Sequence, residues 1–248
     1  MVDRPIGRRN FLKSAGAAGT AAAAALTGAL PARAEDQPSQ AAPAASPSTQ
    51  IKSNAPASEP LLTLTPTEAA FLGAAYDTFI PADQYSPSGT DCGLVVYIDR
   101  QLAGAWGNGA RFYRSGPFVT GKPEQGYQLN LTPREYFAAG IVAANDWTRR
   151  TYGKEFDRLD PAQRDEALKT MDSGKAEFTD FNSKYFFELL YQSAMEGFFA
   201  DPIYGGNRDK VSWKMVGYPG LPATYASKAE EYRGKKVTLP PQSIADLS

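Results

Sequence analysis

Three segments of the chain begin in the same way, and this shared start constrains the fold more than any other feature. Each has a side-chain oxygen, then proline, then Glu or Gln three residues after the first: Thr65-Pro66-Thr67-Glu68, Thr132-Pro133-Arg134-Glu135 and Asp160-Pro161-Ala162-Gln163. In such a capping box the first and fourth residues satisfy each other's backbone N–H groups at a helix start. Proline suits the first helical position because its missing N–H has no partner there. The chain is therefore predicted to be helical.

Apolar residues at steps of three and four extend the prediction to five helices. The expected bounds are Pro66–Ile80, Asp91–Trp106, Pro133–Thr151, Pro161–Met171 and Phe178–Ala200. The fifth helix is apolar around much of its circumference, so we expect it to be central and buried. Gly107–Gln128 is predicted to be a long ordered loop, and the tail from Leu221 an extended arm or a short helix plus coil. The predicted fold is all-α, an irregular bundle of about five helices with long Gly/Pro/aromatic loops.

The N-terminal segment has the composition of an export signal. Arg8 and Arg9 are followed by Phe11-Leu12-Lys13, an Ala/Gly-rich apolar stretch and a small-residue site that ends at Ala34. This order of basic, apolar and small residues is typical of a signal peptide. The paired arginines resemble the twin-arginine signal, which exports proteins already folded. A transmembrane anchor is the alternative, but the stretch is short and interrupted by glycines.

These features divide the chain into three predicted parts. Residues 1–34 are expected to be the twin-arginine signal peptide. Residues 35–60 are rich in Ala, Pro and Ser and have few large apolar side chains. They cannot bury enough surface to offset chain entropy, so we expect a disordered linker. Residues 61–248 are expected to form a single helical domain.

The residue types that are missing exclude several kinds of chemistry. The chain has no histidine and one cysteine, Cys92. Catalytic triads, His-rich zinc sites, haem ligation by His and internal disulfides are therefore excluded. Outside residues 1–34 the chain is mildly acidic, which argues against a nucleic-acid partner. No nucleotide-binding fingerprint follows a strand pattern, and we predict no cofactor or metal bound by this chain.

Carboxylates are the remaining acid–base candidates. They are Asp77, Asp83, Asp91, Asp99, Asp146, Glu188, Glu196, Asp201 and Asp209. No spacing among them places two in one cleft as a glycosidase requires, and several fall at cap or loop positions. A stand-alone enzyme or calcium site built on Asp201, Asp209 and Glu196 stays open as an alternative, as does a stand-alone periplasmic binding protein.

The segment that follows the fifth helix combines turn formers with aromatic residues. It reads Asp201-Pro202-Ile203-Tyr204-Gly205-Gly206-Asn207, and Trp213 follows it. One interpretation is a turn that ends the helix and covers the core, because proline disfavours helical backbone at the preceding residue. The other is a docking surface, since aromatic residues on glycine-rich loops suit protein interfaces. We predict a partner interface at Asp201, Pro202, Tyr204, Gly205, Gly206, Asn207, Trp213 and Cys92.

Cys92 has two interpretations of its own. It is either a small, partly buried side chain or one half of an intermolecular disulfide, which an unpaired cysteine in an exported protein invites. The sequence favours the packing role.

Several motifs together resemble the gluconate 2-dehydrogenase subunit 3 family. Besides the export signal they are Phe79-Ile80-Pro81-Ala82-Asp83, Gly93-Leu94-Val95-Val96-Tyr97-Ile98-Asp99, Gly197 through Asn207, Trp213, and Gly217-Tyr218-Pro219-Gly220. They span most of the predicted folded domain, and the Asp-Pro-x-Tyr-Gly-Gly-Asn block is the most distinctive.

The resemblance implies a small, non-catalytic subunit of a periplasmic flavoprotein dehydrogenase that oxidises a sugar or sugar acid. It implies FAD in a large partner subunit and haem c in a cytochrome subunit that passes electrons to quinone. It also implies that the large subunit is exported through the twin-arginine translocase by means of the signal on this chain. The complex would lie in the periplasm, associated with the membrane through the partner subunits. Gluconate, glucose, fructose and sorbitol enzymes share this arrangement, so the substrate is left open.

Overall fold

The computed structural model describes residues 59–113, 115–119, 121–122, 125, 127–179 and 181–247. The predicted signal peptide and almost all of the predicted linker lie outside these residues. Seven α-helices occur in the described part: α1 (Pro66–Phe79), α2 (Leu94–Ala103), α3 (Pro133–Tyr152), α4 (Pro161–Asp172), α5 (Ser183–Phe199), α6 (Val211–Val216) and α7 (Ala229–Tyr232). The described residues contain no β-strand, only an isolated bridge between Gly220 and Gln242. The all-α prediction is therefore confirmed.

All three predicted capping boxes are present. At α1 the Glu68 N–H donates to Thr65 Oγ1 over 3.3 Å, and the Thr65 N–H donates to Glu68 Oε2 over 2.8 Å. Helix α3 has the same pair of bonds at its first turn, and α4 has them with Asp and Gln. Gly153 ends α3 in left-handed backbone, the usual C-terminal cap.

Two predicted helix starts were wrong. Helix α2 begins at Leu94 instead of Asp91, because Gly93 adopts left-handed backbone (φ +87°) immediately before it. Helix α5 begins at Ser183 instead of Phe178, because the Asn182 side chain caps the first turn. Helix α2 also ends at Ala103, before the predicted Trp106, since the extended residue Gly104 breaks it.

The core forms around α1 and α5. Helix α5 packs against α1, α2, α3, α4 and α6, which agrees with its predicted central position. Aromatic rings fill the space: Phe71 of α1 lies 4.7 Å from Phe156 and 6.0 Å from Phe186, measured between ring centroids. Gly140 of α3 lies under this cluster, where an added Cβ would come within 2.1 Å of the Phe186 ring. The glycine thus lets α3 approach α5 closely.

One buried carboxylate fastens the N-terminal end of the domain to helix α2. Asp99 is 1% exposed and accepts hydrogen bonds from the N–H groups of Leu62, Thr63 and Leu64 over 2.6–2.9 Å. A buried charge needs such partners, because an unpaired one is costly. The entry to α1 is therefore held in place from α2.

Within the described residues, no helix is both long enough and apolar enough to cross a bilayer.

Candidate functional site

The chain turns sharply after α5, in the segment that the sequence singled out. Asp201 accepts a hydrogen bond from the Ile203 N–H over 3.0 Å and so caps a 3-10 turn, Pro202–Tyr204. Gly205 ends that turn in left-handed backbone (φ +99°). A second 3-10 turn, Arg208–Lys210, leads directly into α6.

Glycines bring this turn against the backbone of two other elements. A Cβ on Gly206 would lie 2.2 Å from the Gly197 carbonyl oxygen of α5. A Cβ on Gly93, just before α2, would lie 2.3 Å from the Gly205 carbonyl oxygen. Both distances are below any real carbon–oxygen contact, so the close approach requires glycine. The Arg208 N–H adds a bond of 3.1 Å to the Cys92 carbonyl oxygen.

Asn207 holds the turn together from inside. Its side chain is fully buried and its Nδ2 donates to the Ala200 carbonyl oxygen over 2.9 Å. Its Oδ1 accepts from both the backbone N–H and the hydroxyl of Ser212, over 3.0 and 2.8 Å. One amide therefore connects the end of α5 to the first turn of α6. It satisfies groups that would be costly to bury alone.

Three residues other than glycine adopt left-handed backbone here. They are Asn207 (φ 48°), Asp209 (φ 56°) and Lys210 (φ 56°). This conformation is uncommon for residues with a Cβ and is found where the surroundings enforce it. The segment is thus strained as well as tightly packed.

Trp213 of α6 covers the inner side of the turn. It is 6% exposed, and its indole N–H donates to the Phe199 carbonyl oxygen over 2.9 Å. Its ring meets the Tyr218 ring edge to face, with 5.1 Å between centroids. The indole therefore satisfies a carbonyl at the C-terminal end of α5 that has no partner within the helix.

The predicted interface residues have different environments. Gly205, Gly206, Asn207, Trp213 and Cys92 are buried: the two glycines allow close backbone contacts, and the other three contribute buried side chains. Asp201 and Pro202 are half-buried, and Tyr204 is exposed. The involvement of these residues in a partner interface stays a prediction.

Neighbouring exposed apolar residues were missed by the sequence analysis. They are Ile203, Met215, Val216 and Tyr218 on the turn and α6, and Tyr85 on the loop after α1. Tyr85 and Met215 line an open groove of about 400 Å³ between that loop and α6. Helix α6 has no strong sequence signal because it is one and a half turns long. The groove was not predictable because its two sides are far apart in the chain.

Cys92 is a buried free thiol. Burial raises the pKa of this thiol to about 11, Asp91 adds to the rise and Arg208 opposes it. Thiol–disulfide exchange needs the thiolate, so the environment disfavours reaction at neutral pH. The burial agrees with the packing interpretation, and the intermolecular disulfide stays untested.

Most candidate carboxylates have structural partners. Asp83 accepts from the N–H groups of Tyr85 and Ser86, Asp77 from that of Thr90, and Asp91 from the Ser88 hydroxyl. Glu196 accepts from the Gln192 side chain over 2.8 Å. Among the described residues, no three acidic or cysteine side chains converge in a way that could hold a metal ion.

Comparison with known proteins assigns the chain to a family. No curated protein and no solved structure matches it. A family model described as gluconate 2-dehydrogenase subunit 3 matches residues 66–220, which are more than half of the chain. The match runs from the first residue of α1 through the turn and α6 to the glycine beside Trp213. The chain therefore belongs to the gluconate 2-dehydrogenase subunit 3 family.

Proposed function

We propose that this chain is the non-catalytic small subunit of a FAD-dependent sugar or sugar-acid dehydrogenase complex in the periplasm. It accompanies the large flavoprotein subunit through the twin-arginine translocase. The observation that carries this proposal is the family match, which covers the helical core and the turn together. The name of the family describes a subunit, and a subunit needs a surface that binds its partners.

The surface around the turn supports a binding role. Ile203, Tyr204, Met215, Val216 and Tyr218 expose apolar area beside a strained, rigidly held backbone. Aromatic and Met side chains are enriched in the centres of protein interfaces. A rigid surface loses little conformational entropy on binding, which favours affinity. This face is therefore our candidate for contact with the large subunit.

We assign the redox steps to the other subunits because this chain lacks the residues that we associate with such chemistry. Hydride removal from a sugar or sugar acid needs a cofactor such as flavin, and the protein supplies its binding and orientation. In our proposal the large subunit holds FAD and a cytochrome c subunit takes the electrons onward. This chain contributes folding support, export and attachment, and the complex associates with the membrane through its other subunits.

The export role is testable in cells that produce the tagged chain together with its large flavoprotein subunit. We expect the large subunit to reach the periplasm only when this chain has an intact signal. Replacing Arg8 and Arg9 together with Lys should hold both proteins in the cytoplasm, because the translocase reads the arginine pair. An active, exported large subunit in the absence of this chain would contradict the escort role.

The subunit role needs a separate measurement. Affinity purification of the tagged wild-type chain from the periplasm should recover the large subunit with its flavin. The control is the same purification from cells that lack the large-subunit gene. Sugar oxidation by the purified chain alone would instead favour a stand-alone enzyme.

A further inference from the structure

The C-terminal segment lies outside the family match but returns to the turn. The Ile244 N–H donates to Asp201 Oδ2 over 2.9 Å, while the other oxygen of the same carboxylate caps the Pro202–Tyr204 turn. Asp246 forms an ion pair of 2.7 Å with Lys210 and accepts from the Ser243 N–H over 2.7 Å. The final 3-10 turn, Ile244–Leu247, is therefore fastened to both ends of residues 201–210, which we call the family turn.

This fastening brings exposed apolar side chains together from two distant parts of the sequence. The Pro202–Tyr204 turn contacts the Ile244–Leu247 turn. Ile203 and Tyr204 are exposed on one of them, and Ile244 and Leu247 on the other. Leu247 is 74% exposed, although two polar contacts hold its segment against the turn. Exposed apolar side chains on two turns that contact each other are a feature of interaction sites.

An unpaired acidic group lies at the edge of the same area. Asp209 is exposed in the Arg208–Lys210 turn, which also contacts the Pro202–Tyr204 turn. Within the described part of the chain it has no hydrogen bond or ion pair, whereas its neighbour Lys210 is engaged by Asp246. The backbone at Asp209 is left-handed, and its carboxylate is exposed to solvent. This charge suits a cationic group on the molecule that covers the apolar area.

We propose that Ile203, Tyr204, Ile244 and Leu247 form one composite docking surface for the large flavoprotein subunit. The large subunit contributes an apolar area and a Lys or Arg that pairs with Asp209. Asp201 and Lys210 position the C-terminal half of the surface without contacting the partner. The inference rests on the proposed function, and it extends the binding face beyond the family-matched residues.

The first test changes the C-terminal half alone. The double variant Ile244→Ser with Leu247→Ser is compared with the wild-type chain for binding to the purified flavoprotein subunit. We expect the Kd to rise about tenfold or more, because two apolar anchors are lost from the interface. The thermal midpoint should be unchanged, since both side chains are exposed. Leu62→Ser is the matched control: Leu62 is 67% exposed, and its change should leave the Kd unaltered.

The outcomes separate this inference from the proposed function. If the wild-type chain does not bind the flavoprotein subunit, the proposed function fails. If the wild type binds and the double variant binds equally well, the composite surface is wrong and the function stands. Sedimentation of the isolated chain checks for self-association. A dimer that the double variant dissolves would assign the surface to a second copy and overturn the inference.

A second variant tests the positioning of the C-terminal half. Asp201→Asn keeps one acceptor oxygen for the Ile203 N–H but replaces the other with an amide, which cannot accept from Ile244. We expect faster hydrogen exchange at the Ile244 amide and weaker binding to the flavoprotein subunit. Faster exchange with unchanged binding would show that the fastening is irrelevant to the partner.

A third variant tests the charge. Asp209→Lys should weaken binding most at low salt and reverse the direction of the salt dependence, because a favourable ion pair is replaced by a repulsion that salt screens. If the affinity at low salt is unchanged, Asp209 does not pair with a Lys or Arg of the partner.

Discussion

Two regions of this domain achieve close packing in opposite ways. In the aromatic core, side chains fill the space: Phe71, Phe156 and Phe186 meet ring to ring between helices. In the family turn, side chains are absent from the closest contacts, and Gly206 meets the backbone of Gly197 directly. There one buried amide, that of Asn207, satisfies the Ala200 carbonyl and both donors of Ser212.

The difference concerns what can adjust when a residue changes. A ring in a core can be replaced by a smaller apolar group, at the free-energy cost of a partly filled cavity. Backbone atoms are the same in every residue, so no substitution can make a contact between two backbones smaller. The turn should therefore tolerate less change than the core, although it lies closer to the surface.

The largest expected effect is that of one methyl group in the turn. Gly206→Ala should destabilise the fold by about 3 kcal/mol or more, because the new Cβ collides with the Gly197 carbonyl. Chemical denaturation of the purified protein, followed by circular dichroism, measures the change. Gly217→Ala is the control: its Cβ meets nothing within 4 Å, so only the left-handed backbone (φ +71°) is penalised, by about 1 kcal/mol. Equal losses at the two positions would contradict the packing argument.

The next effect concerns the buried amide. Asn207→Ala should cost about 2–3 kcal/mol, because the Ala200 carbonyl and both Ser212 donors lose their partner in the interior. Asn182→Ala, which removes a single bond at the exposed start of α5, should cost about 1 kcal/mol. The comparison is made by urea denaturation. A smaller loss at Asn207 than at Asn182 would show that water replaces the amide.

A third prediction tests whether the core can adjust. Gly140→Ala should cost about 2 kcal/mol in the wild type, because its Cβ would meet the Phe186 ring. In a Phe186→Leu background the same change should cost much less, since the obstructing ring atoms are gone. A double-mutant cycle of unfolding free energies measures this coupling. Additive losses would mean that the core is as rigid as the turn.

The smallest effect concerns the ion pair that fastens the C-terminal segment. Lys210 and the Ser243 N–H lower the pKa of Asp246 from 3.8 to about 2. An aspartate with a lowered folded-state pKa contributes stability above its unfolded-state pKa and loses it as the pH falls through the folded value. The contact should therefore be intact above about pH 4 and lost towards pH 2. The protection factor of the Ser243 amide, which corrects for the intrinsic pH dependence of hydrogen exchange, follows the release. In Asp246→Asn this factor should no longer change with pH across the same range.

The same contrast explains what could be predicted from the sequence. The capping boxes at Thr65, Thr132 and Asp160 involve residues three positions apart, so local chemistry was sufficient and all three helix starts were confirmed. The start of α5 was misplaced because Phe178 and Phe181 continue the apolar spacing of the helix. In the structure these rings pack on the core from the segment before it.

The turn could be located in the sequence but its contacts could not. Its glycines and proline mark a turn, yet the partners of those glycines, Gly93 and Gly197, are set by the packing of three helices. Asp99 shows the same limitation. Its residue type makes it an acid–base candidate in the sequence, whereas in the structure it accepts hydrogen bonds from the backbone before α1. Long-range contacts of this kind leave no periodic signal.

The bridge between Gly220 and Gln242 has a practical consequence for engineering. The Leu221 N–H donates to the Gln242 carbonyl and the Gln242 N–H to the Pro219 carbonyl, so the chain leaves and returns at one point. Residues 222–241 are therefore an excursion with neighbouring ends, and most of them are exposed. Doubling the length of such a loop costs only about 0.6 kcal/mol in closure entropy. A reporter peptide or small domain inserted there would leave both the helical core and the C-terminal turn in place.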